Sequence, residues 1–495
     1  MTELEVPLIW NNEVNSRHLS NEITNPRTGT LWTATAHIIT AVIGAGVLSL
    51  AWSVAQLGWI AGPAIMLVFA LITYYSSSLL ADCYKFPDPV FGPNKNYTYR
   101  DAVKVNLGDR QAWLCALVQY VSLYGAGIAY TITASISMRA IRQSNCYHKN
   151  GHDYPCHFSE TTFMIIFGMT ELIISQIPNF HKVWGLSIVA SIMSISYATI
   201  GLGLGIAKVA ENGELYGSIA GISSSTAIST SQKAWLVLQA IGDIAFAYPY
   251  SIIVIEIEDT LKSEPPENKT MKKASMISVT TTTFFYLLCG CFGYAAFGEN
   301  APGNLMTGFG FYEPYWLIDF ANACIVVHMV GSYQVYCQPL FAFIEDWFLN
   351  TWPNNRLFSN EYAVPIPLLG LYYVNLFRLF WRSAFVVSTT GIAILIPAFN
   401  DVLGLLGAIN FWPLAVHFPV AMYMVKNKVQ QWTITWFLLQ AFSFICLLVS
   451  VATALGSIVG LIEGSLLPIG LPMHFTDIQS FNNVWYHFLE ELIPK

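Results

Sequence analysis

Charge is what this sequence has least of. Asp, Glu, Lys and Arg make up 11% of its 495 residues, whereas 54% are hydrophobic and 14% aromatic. A water-soluble domain carries about 25% charged residues to cover its surface. So thin a supply excludes an ordinary soluble enzyme and makes lipid the solvent for much of the chain. Other chemistry is missing too. No CxxC pair or His/Cys cluster suggests a metal, no convergent nucleophile suggests an enzyme, and nothing points to a nucleic acid. The opening 28 residues are polar and have no short apolar run ending at a small-residue cleavage site. The first spanning helix is therefore expected to serve as its own insertion signal.

Long apolar runs are abundant. Eleven are long enough to be read as membrane spans, at about 30–52, 58–83, 112–141, 160–178, 183–207, 233–258, 273–297, 314–346, 378–397, 399–425 and 430–461. The longest polar connections are 84–111, 208–232, 259–272 and 347–377. With the N-terminus inside, 17 of the 23 lysines and arginines fall on the inner side, the orientation that the positive-inside rule selects. An odd number of spans then puts the C-terminus outside. The domain reading is an N-terminal cytosolic tail over 1–28, a transmembrane domain over 29–461 and an extracytoplasmic tail over 462–495. Within that domain, 30–207 and 233–425 are two repeats and 430–461 is an extra helix. Seven of the nine cysteines lie in or beside apolar runs. Cys146 and Cys156 stand in a polar outer stretch over 143–160, as a disulfide or as two free thiols.

Two runs are poor continuous helices. The first contains Ile43-Gly44-Ala45-Gly46-Val47 at mid-membrane, and the sixth contains Phe246-Ala247-Tyr248-Pro249-Tyr250. Glycine weakens a helix interior, and proline removes a backbone donor and clashes with the preceding turn. Either feature alone can serve packing or a simple kink. The two lie five spans apart, so the halves that they open have opposite topology. Paired interruptions in an inverted repeat are the sequence pointer to a transporter's midplane site. Such a site suits a zwitterion: freed amides at a half-helix N-terminus attract a carboxylate, and freed carbonyls attract an ammonium.

The stretches Gly29-Thr30-Leu31-Trp32-Thr33-Ala34-Thr35-Ala36-His37 and Val42-Ile43-Gly44-Ala45-Gly46-Val47-Leu48-Ser49-Leu50-Ala51-Trp52 resemble the opening of the plant amino acid permeases, a branch of the amino acid/auxin permease family. So do Gln176-Ile177-Pro178-Asn179-Phe180-His181-Lys182, Ala240-Ile241-Gly242-Asp243-Ile244-Ala245-Phe246-Ala247-Tyr248, Gly290-Cys291-Phe292-Gly293-Tyr294-Ala295-Ala296-Phe297-Gly298 and Trp316-Leu317-Ile318-Asp319-Phe320-Ala321-Asn322-Ala323-Cys324. Ile255-Glu256-Ile257-Glu258-Asp259-Thr260 resembles the amino acid permeases rather than the auxin importers or lysine/histidine-type permeases. The resemblance covers about 27–461 and implies an all-α, LeuT-type fold with eleven spans, a 5+5 inverted repeat and broken helices 1 and 6. It implies proton-coupled import of amino acids at the plasma membrane by alternating access, without a bound cofactor. Sodium coupling, an auxin-type organic-acid importer and an amino acid receptor on the same fold are the rival readings. Pro249, Glu171 and the tail after Leu461, with a short amphipathic stretch over 481–493, depart from the family's pattern.

By that resemblance, substrate touches Ile43, Gly44, Ala45, Gly46 and Val47 in the first span and Phe246, Ala247 and Tyr248 in the sixth, the same residues that form the two breaks. Proton coupling needs a titratable group within the membrane. His328, mid-span in the eighth run, is favoured because histidine titrates nearest neutrality. Asp243 lies one turn before the second break and could reach a substrate ammonium or relay a proton. His37 and Asp319 lie nearer the membrane edges, and Glu171, mid-span, is a further intramembrane carboxylate. The fifth run has no lysine in its middle to occupy a sodium-like position. A 100 mV potential supplies about 2.3 kcal/mol per charge and one pH unit about 1.4 kcal/mol, enough to accumulate a solute on the order of several hundred-fold.

Overall fold

A computed structural model describes residues 27–177, 184–222, 229–248, 250–310, 314–353, 355–366 and 370–466. Pro249, the 178–182 part of the family motif and the 481–493 stretch lie outside the described residues. The chain is an α-helical, polytopic membrane protein. Among the described residues, eight helices are long and apolar enough to cross a bilayer.

The first is preceded by a shorter apolar helix, α1 (Leu31–Val42), and is itself α2 (Gly46–Ala81), which joins the end of the first expected span to the second at Gly58. A capping box starts α1: Thr30 accepts from the Thr33 amide, and the Thr33 hydroxyl accepts from the Thr30 amide. The chain turns at Gly58 with φ +85°, a conformation that glycine adopts readily. A side chain there would also meet the backbone of Ile219 and Gly221, which pack against the turn. Next come a two-residue antiparallel pair, β1 (Lys85–Phe86) with β2 (Asn94–Lys95), and the short helix α3 (Tyr99–Leu107).

The helix α4 (Asp109–Asn150) corrects the expected end at 141: it runs on into the polar outer stretch until Gly151 stops it at φ +85°. There the Cys146–Cys156 disulfide ties its last turns to the loop. It is followed by α5 (Glu160–Ile174), α6 (Trp184–Asn212) and α7 (Thr230–Ala247), the last opened by a Ser229/Gln232 capping box. A three-residue 3-10 turn, Ser251–Ile253, leads into α8 (Val254–Asp259). Then come α9 (Glu267–Phe297) and α10 (Tyr315–Thr351). The 347–377 connection, read from the sequence only as a long polar one, holds α11 (Arg356–Ser359) and a hairpin of β3 (Tyr362–Ile366) with β4 (Gly370–Val374). The last helices are α12 (Leu376–Leu395), α13 (Phe399–Asn410), which passes through a π-helical stretch, Phe411–His417, into α14 (Phe418–Lys426), and α15 (Ile434–Leu466).

Helix α9 lies along α2, α10 packs on α4 and α6, and α7 sits between α13 and α15. Small residues allow these close approaches: a side chain at Gly242 would meet the Gly404 backbone, and one at Gly456 would meet α7. Outward faces stay apolar and exposed, as at Leu67, Leu71, Ile165, Ile173, Val387, Leu438 and Ile445, which is the surface that lipid covers.

Candidate functional site

Two helix interruptions face each other in the middle of the bundle. The first is the step from Val42 to Gly46, and the second runs from Ala247 to Val254. Contact between them requires Gly46, because a Cβ there would lie 2.7 Å from the Cα of Ala247. A small cavity of 30 Å³ opens beside them. Gly44, Ala45, Gly46 and Phe246 of the expected set line it. Ile43, Val47, Ala247 and Tyr248 are buried but stand just outside the lining.

A helix end frees backbone groups that must find partners where there is no water. At the first break the freed carbonyls are met by tyrosines from three helices. Tyr197 of α6 donates to Gly44 O at 3.0 Å, Tyr336 of α10 to Ala41 O at 3.1 Å and Tyr286 of α9 to Val42 O at 2.5 Å. The Tyr286 hydroxyl also lies 2.9 Å from Ala247 O, so one phenol joins both breaks. Gln119 of α4 donates to Ile252 O at 3.0 Å on the far side of the second break. The restarted helix at Gly46 is different. Ala45 precedes it with no side-chain cap; Leu48 N donates to Ala45 O at 3.2 Å, and Ala45 and Gly46, at the very start, border the cavity.

Sequence reasoning missed the remaining wall. Ser122, Ala126 and Tyr130 come from α4, Tyr336 from α10 and Asn410 from the end of α13. Tyr130 and Tyr336 stack edge to face with centroids 5.7 Å apart. Asn410 is buried, and its Oδ1 has no hydrogen-bond partner among the described residues. A readable signal was present for it: a lone amide amid apolar residues, three positions before Pro413, where the helix becomes π-helical.

A larger cavity of 210 Å³ adjoins the first and shares Ala41, Ile252 and Tyr336 with it. His37 and Glu256 stand on its walls, together with Gln119 and Ser332. His328 is fully buried behind Gly44. Its Nδ1 lies 2.8 Å from Ala190 O and its Nε2 3.0 Å from the Ser332 hydroxyl, which faces the larger cavity. Asp243 does not reach either cavity; it points from α7 toward Gly404 and Ser457. Asp319 sits at the start of α10 and accepts from Asn145 at 3.0 Å, away from the breaks. Glu171 is buried and accepts from Gln334 Nε2 at 2.6 Å.

Beyond the larger cavity the ends of both broken helices are tied together. Gly29 N donates to Thr260 O at 2.9 Å and Lys262 N to Gly29 O at 3.0 Å. Arg27 bridges Asp259 at 2.6 Å, and Tyr84 donates to the same carboxylate at 2.8 Å. Burial raises the Tyr84 phenol above its usual range, with the Asp259 charge acting in the same direction, and keeps it a neutral donor. On the opposite side, Ser218 and Ile222 join the turn at Gly58 through Trp59 N and Ala55 O, with Tyr294 bonded to Ser218.

The sequence profile described as "Transmembrane amino acid transporter protein" matches residues 27–463. Amino acid permease 3 of Arabidopsis thaliana is 56% identical over 447 residues, 90% of this chain and 94% of the relative. Amino acid permease 2 of the same plant is 58% identical over 435 residues, 88% of each chain. Lysine histidine transporter-like 1, also of Arabidopsis thaliana, is 27% identical over 88% of each. The family resemblance carried by the residues around the two breaks is thereby established: the chain belongs to the transmembrane amino acid transporter family, in the branch of the plant amino acid permeases.

Proposed function

We propose that this protein is a proton-coupled symporter that imports amino acids across the plasma membrane by alternating access. The observation that carries the reading is the cavity where the uncapped start of α2 meets the end of α7. The α-carboxylate binds the amides at Ala45 and Gly46, attracted by the positive end of that half-helix. Phe246 and Tyr130 close over the side chain, and Asn410 supplies an orienting amide. At 30 Å³ the central cavity is too small for an amino acid as it stands, so substrate entry requires the breaks to part. The adjoining 210 Å³ space is the route toward the cytosol.

The reading includes eleven spans arranged as a LeuT-type 5+5 inverted repeat, with α1 and the 46–57 part of α2 forming helix 1, and α7 and α8 forming helix 6. The first repeat spans about 30–207, the second 233–425, and α15 is the extra helix. The lysine and arginine distribution supports a cytosolic N-terminus and an extracellular C-terminus. Half-helix carbonyls bind the driving cation in such folds. Here Tyr197, Tyr286 and Tyr336 already donate to them, which favours protons over sodium. His328 is a coupling candidate through Ser332, as are His37 on the cavity wall and Asp243; Asp319, bonded at the helix end, is the weakest of the four.

The test is current recording across a panel of amino acids in a cell without its own uptake, at several outer pH values. Inward currents that grow as the outer pH falls, and persist in choline, are expected. Uptake that disappears when only the sodium gradient is collapsed overturns the proton assignment, and binding without net transport identifies a receptor.

A further inference from the structure

The interface between α7, α13 and α15 is tightly packed and contains acids but no base. Asp243 on α7 is fully buried, and neither carboxylate oxygen has a hydrogen-bond partner among the described residues. Its Oδ1 lies 3.1 Å from the point where a side chain on Gly404 would begin. The Ser457 hydroxyl of α15 is packed on the same glycine, also fully buried and without a partner. One turn back on α7, Gln239 donates to Asp401 Oδ1 at 2.8 Å. Asp401 is half-buried against Gly460 of α15 and feels the charge of the exposed Glu463, while Asp243 feels that of Asp401.

Among the described residues, no cation is paired with these acids. The buried 46–57 part of α2, which also packs on α7, carries no charged residue. Lys233, at the start of α7, bonds the Ala220 carbonyl at 3.4 Å. An ionised Asp243 would be an unpaired charge in a dry helix interface, a state that proteins avoid unless function requires it. The three acids form a graded series: Glu463 is exposed, Asp401 half-buried and Asp243 fully buried. In the orientation proposed above, that series runs inward from the extracellular side to one turn before the second break.

We propose that Asp243 is a proton-binding site loaded from the outer solution through Asp401, and that α15 shields it from lipid and water. The inference rests on the proton-coupled reading and deepens it. One proton adds to the Asp243 carboxylate to give the neutral acid, and the same proton leaves on the cytosolic side, restoring the carboxylate. The site is separate from the substrate cavity, so proton and amino acid communicate through the end of α7 rather than by touching.

The experiment uses the full chain in proteoliposomes with labelled alanine as probe. It measures accumulation under an imposed pH gradient, counterflow without a gradient, and the pH dependence of alanine binding. Asp243→Asn, which mimics the proton-loaded form, should lose at least about tenfold in gradient-driven accumulation while counterflow stays within about twofold. Its alanine binding should no longer vary between about pH 5 and pH 8. Asp401→Asn, at the half-buried position, serves if the first variant does not fold; it should shift the pH of half-maximal uptake and keep the maximal rate. Either folded variant keeping the wild-type pH profile overturns the proposal. So does an Asp243→Asn protein that loses pH-driven accumulation only when sodium is present and not in choline, because the site then binds sodium. Failure of the wild type to accumulate alanine under a pH gradient refutes the transport reading itself, independently of these variants.

Discussion

The two helix breaks do different work although they meet at one cavity. The first is made of small residues, and its carbonyls are held by three tyrosines from three other helices. The second is aromatic. The Tyr248 hydroxyl lies near Thr283 and the Tyr250 hydroxyl near Ser275, and neither has a partner at normal hydrogen-bond geometry among the described residues. The first break is therefore held through its carbonyls from three helices, whereas the second adds aromatic bulk to the bonds that Tyr286 and Gln119 make to Ala247 O and Ile252 O. A backbone-bonded break can hold the invariant part of a substrate, its carboxylate and ammonium. An aromatic break can shape the variable part, because a ring's rotamer can change without leaving a buried amide or carbonyl unpaired.

That contrast is exposed to test, beginning where the effect is largest. Gly46→Val puts a branched side chain against Ala247 and should lower uptake by at least about a hundredfold, since misplacement on the order of 1 Å at a reacting or binding centre has that effect. Surface labelling must show the variant in the membrane; unchanged transport would remove the first break from the site. Tyr286→Phe deletes the hydroxyl shared by Val42 O and Ala247 O. Leaving buried carbonyls unsatisfied costs about 1–3 kcal/mol each, so its melting temperature should fall along with its uptake rate. A Tyr286→Phe protein as stable as wild type would show that another donor or water fills the place. Tyr248→Phe should be mildest in stability, within about 0.5 kcal/mol, because no hydrogen bond is lost. It should instead alter the ranking of amino acids in a competition assay. A larger loss of stability than that of Tyr286→Phe would reverse the comparison.

The burial of acids shows a similar division. Glu171 and Asp243 are both buried within α-helices, yet Glu171 receives a 2.6 Å hydrogen bond from Gln334 and Asp243 receives none among the described residues. Sequence alone ranks the two as similar intramembrane carboxylates. Their partners come from α10 in one case and are missing across α13 and α15 in the other, and helix packing decides that. Asp319 makes the same point from the opposite side: the sequence offers it as a coupling candidate nearer the membrane edge, and Asn145 from the end of α4 makes it part of a helix-end contact.

Much of the architecture was legible because lipid imposes a simple rule. A segment without water must satisfy its backbone internally, so apolar length reads directly as helix, and glycine or proline at mid-depth reads as interruption. The expected first span ended near 52 and the second began at 58; the helix in fact continues to the turn at Gly58. Continuity of the hydrogen-bond ladder is not encoded in hydropathy. For the same reason α4 runs past its apolar part to Asn150, and the 347–377 connection folds a hairpin that no alternating pattern announced.

By itself the sequence determined a helical membrane protein, its family, and two weak points at Gly44–Gly46 and Phe246–Tyr248, since these follow from solvent, local propensity and motif. Only the tertiary structure decided which groups the weak points meet. The tyrosines at positions 197, 286 and 336 are spread over 140 residues of chain and reach the first break only because α6, α9 and α10 pack around it. A hydrogen bond acts within about 3 Å, and no local pattern in a chain records which distant residues will come that close.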